Sequence, residues 1–318
     1  MAPSPATAHR HAREPQRPSL RPVEAPAPPA ASARPGVVLR ACRPRQWLKN
    51  VVVALAPASA GALTSGVALA ETGGALVAFC LLASATYLVN DVRDRRSDRR
   101  HPRKRFRPIA SGELSPRRAL RVAALLAAAG ICLAVAIRPA LGVVAVCYLA
   151  LTLSYTLVWR DVIVADIVVV AAGFLVRAAA GGVAIDVRLS KSFLLVTSAC
   201  ALLMVAGKRY AEARERVDRL STRQTLRRYS RRALRLTVLA AAGLGGVAYT
   251  SWAFTRSAPA PWIELSVVPF AVWIGRYTAV LRTGAGEAPE ELIFGDRVLL
   301  LAGAVWTILF LTGLYGAR

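Results

Sequence analysis

Asn90, Asp91, Asp94 and Asp98 open the segment NDVRDRRSDRRHPRKRFRPIASG at residues 90–112. If this stretch is helical, Asp94 lies about 60° and Asp98 about 20° from Asp91 around the axis, so three carboxylates share one face and Asn90 borders it. Carboxylates gathered on one face repel each other unless a cation joins them. Hard oxygen donors suit Mg2+, which keeps waters and substrate phosphate oxygens in its shell. The predicted metal ligands are therefore Asn90, Asp91, Asp94 and Asp98. His101-Pro102 should end the helix, because the residue before proline avoids the helical region. Lys104 and Arg107 then follow, spaced to hold anionic oxygens. The plainer alternative is a solvated helix laced with salt bridges. Lacing, however, does not require the acids to share a face.

The elements that must carry these residues are apolar. The 318-residue chain is 55% hydrophobic yet has a formal net charge of +24, a pairing that soluble proteins rarely show. Nine apolar runs are long enough to cross a hydrocarbon core about 30 Å thick. They fall at 50–67, 73–90, 119–137, 140–158, 162–185, 190–206, 233–254, 263–281 and 297–315. The first is the weakest, being interrupted by Pro57, Gly61 and Gly66. The expected fold is an all-α polytopic membrane protein, a nine-helix transmembrane bundle over 37–318. Residues 1–36 hold nine prolines and no apolar run, and should form a disordered cytoplasmic tail.

Charge then sets the orientation. With a cytoplasmic N-terminus, the inside segments 91–118 and 207–232 are densely basic, whereas the outside turns carry only isolated charges such as Arg138 and Arg256. This asymmetry is that of the positive-inside rule. It predicts a multi-pass protein of the cell inner (plasma) membrane, with the C-terminus outside and the acidic face at the cytoplasmic surface. The partners expected of this charge are anionic lipids and phosphates, not nucleic acid. Five cysteines without metal-like spacing and three histidines argue against a thiol or histidine metal centre.

The pattern NDxxDxxxD followed by HPxKxxRPIASG resembles the first motif of the UbiA superfamily of intramembrane prenyltransferases, and RPRQWLKN at 43–50 extends the likeness to the chain entry. The resemblance implies nine transmembrane helices, and Mg2+ with a substrate diphosphate bound at the acidic motif. It also implies a second cluster, matched by YTLVWRDVIVAD at 155–166. There Asp166 is carried over as a catalytic carboxylate beside Asp91, Asp94 and Asp98, with Tyr155 and Arg160 as substrate-binding neighbours. Arg160 stands where lysine is usual and the spacing of Asp161 differs, so the place of Asp161 stays open. Arg177 lies well inside the fifth span, where an arginine marks either a substrate contact or an ion pair within the bundle.

AGKRYAEARE at 206–215 and RYTAVLRTGAGEAPEELIFGDRVLLL at 276–301 are similar to the decaprenyl-phosphate phosphoribosyltransferase branch of that superfamily, found in mycobacteria and related actinobacteria. The implied reaction moves a 5-phosphoribosyl group from phosphoribosyl diphosphate to a polyprenyl phosphate, an early step in arabinan cell-wall synthesis. Such chemistry must hold three anionic groups. Arg45 with Lys49, Lys104 with Arg107, and Lys208 with Arg209 and Tyr210 supply three candidate contacts on the inside face. The rival within the fold is prenyl transfer from a prenyl diphosphate to an aromatic acceptor. A transporter would need charges deep within several spans. A homo-oligomer is left open.

Overall fold

The computed structural model describes residues 35–159, 162–214, 230–255, 261–283 and 289–316. Residues 1–34 of the proposed tail, Arg160, Asp161, Arg256 and most of the basic stretch 216–232 lie outside the described residues, while Pro35 and Gly36, expected in the tail, open a helix. Every regular element among the described residues is helical.

Eight helical stretches are long and apolar enough to cross a membrane. They are α3 (Gly66–Asp98), α5 (Pro116–Ile137), α6 (Pro139–Leu157), α7 (Ile163–Ala184), α8 (Lys191–Arg214), α9 (Arg231–Phe254), the consecutive α10 (Pro261–Leu265) and α11 (Val267–Leu281), and α13 (Arg297–Tyr315). Short helices α1 (Pro35–Cys42), α2 (Leu55–Ser59), α4 (Pro108–Ser111) and α12 (Pro289–Gly295) complete the chain. Leu125, Val247 and Leu301, on α5, α9 and α13, are each about two-thirds exposed, at 70%, 70% and 66%. Such side chains on an outer surface face lipid, and the chain is a polytopic membrane protein.

The ends of these helices follow from their sequence. Proline opens α5 and α6 at the first helical turn, where its missing N–H is not needed. Ser65 caps α3, its hydroxyl accepting from the Ala68 N–H at 3.1 Å. With 33 residues, α3 is about 50 Å long, well beyond the hydrocarbon thickness. Its final turns, which carry Asn90 to Asp98, therefore extend past the apolar layer.

The expected first span at 50–67 takes another form. Pro44–Ala54 is a 3-10 helix, followed by the five residues of α2 and a turn in which Gly61 adopts φ 65. In a 3-10 helix residues three apart line up. Trp47, Asn50, Val53 and Ala56 accordingly form one inward row, with Asn50, Val53 and Ala56 buried, while Leu48 and Val51 face outward. The row runs antiparallel to α3: Trp47 Nε1 donates to Ser84 Oγ at 3.0 Å, and Asn50 Nδ2 reaches Cys80 Sγ at 3.2 Å. Its far end meets the C-terminus, where Tyr315 Oη donates to the Ala58 carbonyl at 3.2 Å and accepts from the Leu63 N–H at 3.3 Å. Gly181 of α7 makes the close approach feasible. A Cβ there would stand 1.7 Å from the Val53 carbonyl oxygen.

Candidate active site

Three groups of polar side chains deserve comparison, each positioned by the helices just described. In the first, Asp91 and Asp98 sit two turns apart on α3 and both are buried, at 2% and 4% exposure. One guanidinium serves both: Arg107 Nη1 lies 3.2 Å from Asp91 Oδ1 and 2.7 Å from Asp98 Oδ2. Arg43 pairs with the same Asp91 oxygen and lies with its guanidinium 5.2 Å from the Tyr87 ring centre. Asn90 and Asp94 are half-buried on the neighbouring helix surface.

The loop after α3 is shaped to deliver Arg107. Arg99 Nε donates to the Ala110 carbonyl at 2.9 Å, tying the end of α3 to α4. His101 Nδ1 accepts from the N–H groups of Arg103 and Lys104, at 3.2 and 3.3 Å. Burial, then the positive charge of Lys104, hold the His101 imidazole below its ordinary value. Arg107 itself is extended at the entry to α4, which closes at Gly112 with φ 94. Lys104 is half-buried beside it.

The second group joins three helices. Asp166 of α7 is 1% exposed; its Oδ1 accepts from Tyr155 Oη of α6 at 2.5 Å and from Arg209 Nη2 of α8 at 2.8 Å. Arg209 Nε lies 2.6 Å from the other carboxylate oxygen, and Nη1 donates to Glu212 at 2.7 Å. Arg209 thus faces inward to carboxylates. Lys208 occupies a different, half-exposed side of α8, and Tyr210 packs against apolar clusters from α7, α9 and α11.

The third lies deeper. Arg177 of α7, buried, donates from Nε to Asn50 Oδ1 at 2.8 Å, from Nη1 to the Gly173 carbonyl at 3.1 Å and from Nη2 to Tyr148 Oη at 2.5 Å. A cavity of 180 Å³ bounded by Ala56, Arg188 and Trp252 lies at the other end of the bundle from the acidic residues.

The structure therefore brings Asp91 and Asp98 together as their helical spacing implied, adds Arg107 as their ion-pair partner, and unites Tyr155, Asp166 and Arg209. It does not bring Arg45 into a polar contact with either group; its side chain is exposed, while Lys49 is half-buried. Sequence reasoning missed Arg43 and Glu212. Arg43 adopts φ 55 and ψ 64, a left-handed conformation uncommon for a non-glycine residue, and this turn from α1 into the 3-10 helix aims it at Asp91. No periodicity announces such a turn. Glu212 could have been found as the residue three beyond Arg209 on one helix face.

Donor chemistry at the first group fits a hard divalent cation: two buried carboxylates converge on a single positive centre, with an amide and a third carboxylate adjacent. Among the described residues, no three acidic, histidine or cysteine side chains are already gathered as a metal cage.

Residues 51–295 match the model of the UbiA prenyltransferase family. The chain is 40% identical to the decaprenyl-phosphate phosphoribosyltransferase of Corynebacterium glutamicum, covering 87% of this chain and 86% of that protein. It is 42% identical to the Mycobacterium tuberculosis protein of the same name, with 87% and 94% covered. In fold it is similar to a UbiA homolog from Archaeoglobus fulgidus bound to GPP and Mg2+, with a TM-score of 0.68, 15% identity and 87% and 98% coverage. With the family model spanning most of its length and relatives of this closeness, the chain belongs to the UbiA prenyltransferase family.

Proposed function

We propose that the protein transfers a 5-phosphoribosyl group from phosphoribosyl diphosphate to decaprenyl phosphate, or a similar polyprenyl phosphate, at the cytoplasmic face of the plasma membrane. Diphosphate is released, and the lipid product feeds arabinan and arabinogalactan synthesis. The observation that carries the reading is the Arg43–Asp91–Arg107–Asp98 cluster, a partly exposed set of cations on buried acids, in a chain whose relatives bear that activity in their names.

Asn90, Asp91, Asp94 and Asp98 would hold Mg2+, which when bound supplies positive charge to the leaving diphosphate. Arg107 and Arg43 are about a quarter exposed, at 26% and 24%, so their remaining N–H groups can turn to phosphate oxygens without leaving the acids far behind. Lys104 adds charge at the same edge. A lipid phosphate oxygen forms the new bond to the anomeric carbon as that carbon's bond to diphosphate breaks. The electron pair leaves with diphosphate, and no proton needs to move. Asp166 and Tyr155 hold Arg209, whose charge lines the second group, while Lys208 and Lys49 remain candidates for the 5-phosphate and the lipid phosphate.

For topology, the 3-10 segment and α2 serve as a ninth crossing. Eleven residues at about 2.0 Å and five at about 1.5 Å give roughly 30 Å, the thickness of the apolar layer. Arg43 stands at the end shared with Asp91, and Ala58 at the end shared with Tyr315. Nine crossings leave the N-terminus cytoplasmic and the C-terminus outside.

The test uses purified protein in detergent with labelled phosphoribosyl diphosphate and polyprenyl phosphate. Label entering the lipid phase only with Mg2+, and lost in Asp91→Ala, is the expected result. Prenylation of an aromatic acceptor from a prenyl diphosphate instead would retain the fold and overturn the substrates.

A further inference from the structure

Arg177 has no part in the reaction described above, yet it is costly to hold. It is 8% exposed within α7, and among the described residues it forms no ion pair. Its partners are an amide oxygen, a carbonyl and a phenol, with the Tyr148 ring centre 4.7 Å and the Phe174 ring centre 5.5 Å from the guanidinium. A charge inside a bundle without a carboxylate calls for a reason.

That reason lies in the segment it grips. A 3-10 helix of eleven residues is well beyond the usual three or four, because its hydrogen bonds are poorer than those of an α-helix. Its inward row exists only in that form. In an α-helix each three-residue step would turn the row by about 60°, leaving Trp47 and Val53 about 120° apart. The Trp47 bond to Ser84 and the seat of Val53 against Gly181 could not both survive. Asn50, held by Arg177, stands in the row between Trp47 and Val53. Arg43 lies seven residues before it, about 14 Å away at 2.0 Å per residue. Relaxation to α geometry would shorten that distance by about 3.5 Å and draw Arg43 off Asp91.

We propose that Arg177 is a positioning residue: through Asn50 it holds the first crossing in its 3-10 form, and so sets Arg43 against Asp91. The inference rests on the reading of the Asp91 cluster as a diphosphate site, and two measurements separate them. The first is calorimetric binding of Mg2+ and pyrophosphate to the full chain in detergent, for wild type, R43A, R177Q and the double variant. Each single change should weaken binding by about tenfold, and the double change by little more than R43A alone, because both act through one contact. A double variant about a hundredfold weaker, the product of independent losses, overturns the proposal. So does R177Q binding like wild type.

The second measurement needs no ligand. Amide hydrogen exchange over residues 44–54 should quicken in R177Q while α5 and α13 keep their protection. Unchanged exchange there overturns the proposal, even if wild type binds no pyrophosphate and the site reading has already failed. Should R177Q unfold throughout, R177K replaces it: lysine keeps the charge but cannot reach Asn50 and Tyr148 together, so the same two outcomes apply.

Discussion

The Asp91 and Asp166 clusters are built from the same parts, buried carboxylates and arginine, but differ in how far the arginine is enclosed. Arg43 and Arg107 are 24% and 26% exposed over Asp91, whereas Arg209 is 6% exposed beside Asp166 and is shared with Glu212 and Tyr155. An enclosed guanidinium whose donors already meet carboxylates has little to offer an incoming anion. One that reaches water can change partners at small cost. Equal chemistry thus gives a clamp between α6, α7 and α8 in one place and, in the other, the more open cluster proposed above as the anion site.

The contrast can be broken most sharply with single carboxylates. Asp94→Ala should cut phosphoribosyl transfer by about a thousandfold or more, the scale of losing a charge-stabilising group, while the unfolding midpoint in detergent barely moves. Asp166→Ala should do the reverse first, lowering stability by about 3–5 kcal/mol because it strands a buried arginine. A stable Asp166→Ala protein that is merely inactive would make the second cluster a reaction site instead of a clamp.

Smaller changes sharpen the distinction. Arg107→Ala should cost about a hundredfold in kcat/KM and also weaken pyrophosphate-dependent thermal protection, effects Arg209→Lys should not reproduce. Tyr155→Phe removes one hydrogen bond to a charged group and should lower stability by about 1.5–3 kcal/mol, read from denaturant unfolding. Arg45→Ala, at an exposed position, should shift stability by less than about 0.5 kcal/mol and leave turnover near wild type. If Arg45→Ala matched Arg43→Ala in activity, the aim of Arg43 at Asp91 would lose its meaning.

How much of this was legible follows from the range of each interaction. Six of the eight long helices stand within three residues of the apolar runs, because burial in lipid demands continuous hydrophobicity, while α3 begins seven residues before its run and α3 and α8 each continue eight residues beyond theirs into charged sequence. The shared face of Asp91 and Asp98 was legible too, since it depends only on the turn of one helix. Pro44–Ala54 was not, as an apolar stretch does not declare whether its residues repeat at 3.0 or 3.6 per turn. The fate of Asp166 was equally hidden: its partner Arg209 is 43 residues away on another helix, and Arg177 finds Asn50 across 127. Arg43 escapes a reading of the sequence because nothing local in RPRQWLKN reveals a left-handed turn before proline.

The 3-10 segment and α2 are made before the eight long helices, yet nearly everything that holds them comes later. Their anchors are Cys80 and Ser84, then Arg177 and Gly181, and finally Tyr315 of α13. The grip of Tyr315 on Ala58 joins α13 to the first segment, a fastening that can form only after α13 has been made. The segment made early therefore gains its full set of contacts late, once α3, α7 and α13 are all in place.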